Sequence, residues 1–127
     1  RLESANKQFG TAIMVAGPTR DATADMFAFR YLGILQVKGQ SRSLPVYELL
    51  GRSDHVSADV QAYADLFDGA VQAFSPREWC TARTDFDACL RVRPADPAVA
   101  RYLALIESYQ AEPPAGDWQG TLELTEK

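Results

Sequence analysis

The chain has 127 residues, enough for one ordinary domain or two small ones. Its 46% hydrophobic and 24% charged residues suit a soluble globular protein. A net charge of −4 argues against a nucleic-acid binder, which presents a basic face, and no apolar run approaches the ~20 residues that span a bilayer.

Arg1 to about Gln8 has helical character, and Gly10 is a plausible stop. Ala12-Ile13-Met14-Val15-Ala16 is a short apolar run, read as a buried strand. Gly17-Pro18-Thr19 breaks it, and Arg20 to Asp25 can form a short helix. Phe27, Phe29, Tyr31, Leu35 and Val37 alternate, which predicts a long strand with one buried face and an interruption at Gly33. A turn over residues 39–43 leads into a second strand from Leu44 to Leu50, with Pro45 placing it near a sheet edge or at a strand start.

After Gly51-Arg52-Ser53-Asp54-His55 the period changes to that of helices. Val60, Tyr63, Phe67, Ala70 and Phe74 fall on one helical face. Ser75-Pro76-Arg77-Glu78 predicts the next helix start: Ser75 as cap, Pro76 in the first turn, Glu78 completing a capping box. Trp79, Ala82, Phe86, Cys89 and Leu90 then form one stripe, with Pro94 beyond its end. Asp96-Pro97 caps a third helix with Val99, Tyr102, Leu103, Ile106 and Tyr109 inward, and Pro113-Pro114 ends it. In the tail, Trp118 and Leu122-Glu123-Leu124 can pack back. The two cysteines, Cys80 and Cys89, sit nine residues apart on one helix. That is about 900° of rotation and roughly 13 Å of rise, beyond disulfide reach, so reduced thiols are expected.

Arg1-Leu2-Glu3 at the start, and Val37-Lys38-Gly39-Gln40 before a strand ending Val46-Tyr47-Glu48-Leu49, resemble the last quarter of a class III adenylate/guanylate cyclase catalytic domain. In that family a helix reading Asn-x-Ala-Ser-Arg-Leu-Glu precedes a strand, a short helix and a strand ending Val-Lys-Gly. Trp79, Ala82, Phe86, Cys89, Leu90 and Pro94 match the second helix of a tetratricopeptide (TPR) repeat, of which about one and a half copies would be present. The closing Pro113-Pro114, Trp118 and Gly120 resemble the end of bacterial cyclases that carry a CHASE-type sensor. The resemblance implies an α+β chain. Residues 1–51 would be the C-terminal part of a ferredoxin-like cyclase catalytic domain, and 52–127 an all-α TPR-like extension with a short tail.

It also implies chemistry. Arg1 matches the arginine that stabilises triphosphate charge in the transition state, and Lys38 the lysine that contacts the triphosphate. A guanidinium meets phosphate oxygens through forked hydrogen bonds, and an ammonium meets them as a point charge. The plainer readings are a solvated helix arginine and an ordinary turn lysine. The family's metal-binding aspartates, which hold Mg2+ or Mn2+, lie upstream in its pattern, so this chain alone is expected to be inactive. Asp21, Asp25, Asp85 and Asp87 read as helix-surface acids, and His55 has no partner for nucleophilic catalysis. The implied partners are a nucleoside triphosphate and a second cyclase domain, most simply in a homodimer. The implied location is cytoplasmic, with any membrane anchor of the parent outside this chain. A non-catalytic TPR-like interaction or regulatory module is the alternative, since 1.5 repeats cannot cover their own apolar stripes.

Overall fold

The computed structural model describes residues 14–37, 43–116, 118 and 120–124. Among these, the alternating segments form a sheet and the segments of helical period form helices. Strand β1 spans Met14–Ala16, and Pro18 opens the short helix α1, Gly17–Thr23. Strands β2, Phe27–Val37, and β3, Ser43–Arg52, pair antiparallel. Helices α2, Ala58–Phe74, α3, Trp79–Val92, and α4, Pro97–Ala111, follow. The chain then returns to the sheet as β4, Thr121–Leu124, which runs parallel to β2. The strand order is β1-β3-β2-β4. A four-stranded sheet with helices is compatible with the α+β class expected from the sequence.

Sheet and helices share one core. Met14, Leu32, Leu35 and Val46 from the strands cluster with Phe67, Phe74, Phe86 and Tyr102 from the helices. The aromatic rings meet edge to face, as between Phe67 and Phe86 at 5.5 Å, or stack, as between Phe86 and Tyr102 at 4.8 Å. The apolar stripes of the three long helices are therefore covered by the sheet and by one another. Neither half could bury comparable area alone.

Two local expectations change, and a third narrows to one of its alternatives. The row Phe27, Phe29, Tyr31, Leu35 and Val37 is not one buried face. Phe27, Phe29 and Tyr31 are only half-buried, whereas Arg30 and Leu32 are buried. The β2–β3 register slips between Tyr31 and Gly33, and this bulge carries Leu35 round to the core side. Of the two readings of Pro45 the strand start holds, since it is the third residue of β3, and β3 itself is interior. Pro45 is tolerated because β1 has ended opposite Val46 and the chain turns into α1 at Gly17. Ser75 does not cap α3. It closes α2, donating its N–H to the Val71 carbonyl. The turn then passes through Arg77 at φ 68°, and α3 starts at Trp79 without a side-chain cap. Ser57 and Asp96 do cap, accepting from the Val60 and Ala98 amides.

Gly33 is the hinge of the bulge. Its φ is 125°, and any β-carbon there would collide with the Tyr102 hydroxyl. That hydroxyl donates to the Leu32 carbonyl at 2.6 Å. Gly33→Ala adds both a steric conflict and a disfavoured backbone angle. It is expected to cost about 2 kcal/mol or more, measured as a lower urea midpoint.

Candidate functional site

The sequence-predicted pair, Arg1 and Lys38, lies outside the described residues. The structure does describe what leads to Lys38. Residues Leu35 and Gln36 are flanked on both sides, by Leu44 and Ser43 of β3 and by Leu122 and Glu123 of β4. Val37, the residue before Lys38, pairs with Leu124. The last described residues of β2 thus lie between β3 and β4.

The other acids considered from sequence are placed as surface groups. Asp21 makes an exposed pair with Arg20 at 3.2 Å, and Asp25 and Asp87 are exposed. Asp85 is half-buried. His55 is exposed, 3.9 Å from Asp54. Cys80 is an exposed thiol, while Cys89 is fully buried and its thiol is pushed up to about 11, first by burial and then by Asp96. Among the described residues no cluster of three or more His, Cys, Asp or Glu side chains could hold a metal ion. No helix there is long and apolar enough to cross a membrane.

Sequence reasoning missed a charged network where β2, β3, α2 and the start of α4 meet. Arg30 on β2 donates through Nε to Glu48 on β3 at 2.8 Å, and through Nη1 to Asp96 at 2.6 Å. Only 4% of the Arg30 side chain and 6% of Asp96 are exposed. Tyr63 on α2 donates to the same Asp96 oxygen at 2.6 Å, and the other oxygen accepts from the Ala98 amide at 3.0 Å. The Arg30 guanidinium also lies over the Phe67 ring, at 4.6 Å, and Arg93 lies over Tyr63 at 4.5 Å. Burial alone would raise the Asp96 carboxyl, but the Tyr63 hydroxyl, the Arg30 charge and the Ala98 amide together hold it below the ordinary carboxyl range. The signal available in sequence was a charged residue between Ala28 and Leu32 in an otherwise apolar strand.

A second feature is a groove of about 410 Å³ on the opposite face of the sheet. Its floor is Phe29, Tyr31 and Tyr47, with Tyr31 and Tyr47 5.2 Å apart. Asp65 and Asp68 of α2 form one wall. Arg20 of α1 forms the other and lies over Tyr47 at 5.0 Å.

Compared with known proteins, the chain is similar over 51 residues, at 41% identity, to Adenylate cyclase 1 of Rhizobium meliloti (strain 1021). The match covers 40% of this chain and 8% of that protein. No family model matches the chain, and no solved structure matches it. The likeness supports a relationship to adenylate cyclases over that stretch.

Two outcomes are expected for the charged network. Asp96→Asn leaves Arg30 with one carboxylate in a buried setting and should cost about 3 kcal/mol in chemical denaturation. The folded-state pKa of Asp96 lies below its unfolded value of about 3.9. Its contribution is therefore full above that value and is lost as pH falls through the folded value. Thermal melts should show no loss from this group between about pH 7 and 5, and a decline below about pH 4 that Asp96→Asn removes.

Proposed function

We propose that the chain is the C-terminal portion of a class III nucleotidyl cyclase. In this reading residues 1–51 complete the catalytic domain and residues 52–127 are a TPR-like extension belonging to a sensor cyclase in signal transduction. The observation that carries the reading is the 41% identity over 51 residues to an adenylate cyclase. The Arg1 and Val37-Lys38-Gly39 motifs support it.

The parent enzyme would convert ATP to 3′,5′-cyclic AMP and pyrophosphate. The ribose 3′-hydroxyl attacks the α-phosphate, the bond to the β-phosphate oxygen breaks, and negative charge grows on the phosphate oxygens. Lys38 would meet that charge as a localised ammonium, and Arg1 as a forked donor. Divalent cations, Mg2+ or Mn2+, would activate the hydroxyl when held by aspartates outside this chain. Arg1 and Lys38 would supply the phosphate side of a site shared with a second cyclase domain, in a cytoplasmic homodimer.

The aromatic groove beside α2 favours a second reading, a non-catalytic interaction module in which the sheet face receives a partner. The two readings part at Lys38. In the longer protein that supplies the aspartates, Lys38→Ala is expected to lower kcat/KM for ATP about tenfold or more, a loss of about 1.4 kcal/mol. Separation of cyclic nucleotide from ATP by chromatography measures it, and unchanged turnover would favour the module. The 127-residue chain alone, with Mn2+ and ATP, should give no cyclic product.

A further inference from the structure

We propose that the groove beside α2 docks an arginine side chain from a peptide segment of a partner protein, stacked on the Tyr31 ring and held by Asp65 and Asp68. This deepens the second reading, in which the groove receives a partner, and rests on it.

The floor is the first argument. Phe29, Tyr31 and Tyr47 are only half-buried, although they lie side by side. Phe29 and Tyr47 meet edge to face at 6.3 Å, and Tyr31 and Tyr47 are 5.2 Å apart. A solvent-facing side of an antiparallel sheet normally carries polar residues. Ring faces carry partial negative charge and attract cations. The groove volume of about 410 Å³ is that of a ligand-holding cleft.

The molecule itself shows what this floor accepts. The Arg20 guanidinium already lies over the Tyr47 ring at 5.0 Å. Its ion pair is with the adjacent Asp21, at 3.2 Å, and its Nε has no hydrogen-bond partner among the described residues. Arg20 therefore occupies one ring of the floor and neutralises neither carboxylate of the facing wall.

That wall is the second argument. Asp65 and Asp68 stand three residues apart on α2, which makes them neighbours on its surface. The Gln61 and Gln72 amides donate to one oxygen of each, Oδ1, at 3.1 Å. Among the described residues neither carboxylate has an ion pair. Asp68 is close enough to act on the floor: the Tyr31 hydroxyl is pushed above its ordinary value by burial first, then by Tyr47 and Asp68. Two uncompensated carboxylates beside an open ring fit one cation with a flat face. A guanidinium stacks on the ring and directs its forked donors to both acids, whereas an ammonium is a point charge without a face. The net charge of −4 also favours the approach of a basic segment.

The test titrates the isotope-labelled chain with two peptides, acetyl-Gly-Arg-Gly-amide and its citrulline counterpart, which keeps the shape and loses the charge. Backbone amide signals are followed by NMR. The arginine peptide is expected to shift Tyr31, Tyr47, Asp65 and Asp68 saturably, and the citrulline peptide to bind about tenfold more weakly or less. Asp65→Asn with Asp68→Asn should weaken the arginine peptide about fivefold or more, and Asp87→Asn, an exposed acid elsewhere, should not. Tyr31→Leu, which keeps an apolar floor and removes the ring face, should weaken it as well; the spectra report whether each variant is folded. Equal binding of the two peptides in the groove would overturn the inference and leave the partner reading standing. Shifts spread over the acidic surface, or equally reduced by Asp87→Asn, would reduce the effect to general charge attraction and overturn it. Groove signals that move with protein concentration alone would assign the groove to a second copy of the chain and overturn it too. If neither peptide binds, the inference falls and the partner reading loses its groove.

Discussion

The buried pair between Arg30 and Asp96 is the constraint on which the rest of the arrangement depends. A guanidinium 4% exposed would be prohibitively costly without compensation, and here each of its directions is met. Glu48 takes Nε and Nη2, Asp96 takes Nη1, and the Phe67 ring lies against its face. Those partners come from β3, from the start of α4 and from α2. Satisfying one charge therefore fixes two strands and two helices relative to one another. Such a pair contributes little net stability against an apolar replacement, but it makes misdocked arrangements expensive. Sliding α4 by one turn would strand both a buried cation and the Ala98 amide that Asp96 caps.

The aromatic core works on the other side of the same balance. Tyr102 touches Phe67, Phe74 and Phe86, and its hydroxyl reaches the sheet backbone. Burial supplies the driving force and the single hydrogen bond supplies the address. A phenylalanine at 102 would bury as much area without specifying which carbonyl of β2 it faces.

Much of this fold was legible in the sequence because its elements are strongly periodic. The stripes Tyr63, Phe67, Phe74 and Ala82, Phe86, Cys89 are buried as spaced, and Asp96-Pro97 caps as expected. What periodicity could not give was the bulge at Gly33. A one-residue slip exchanges the faces of a strand, so the aromatic row that looked inward lies half-exposed and the charged residue between its members is buried. The Ser75-Pro76-Arg77-Glu78 signal failed for a related reason. Its local chemistry suits a helix start, but the chain must first leave α2, and Ser75 is used there. The candidate site was legible only as motifs. Arg1 and Lys38 lie outside the described residues, while Arg30, Glu48, Tyr63 and Asp96 are brought together from four elements by tertiary packing alone.

These features bear on why the three helices should follow the β2–β3 hairpin at all. The β2–β3 hairpin by itself is a two-stranded ribbon, which is marginal in water. Helices packed on one face give it a core, and β4 gives the second half of β2 a neighbour on each side. Rigidity of this kind also transmits. A ligand or domain movement that shifted α4 would pull on Asp96 and Tyr102, and both end on β2 within three residues of each other, at Arg30 and Leu32. The three helices thus bear on the geometry of β2 from its core side.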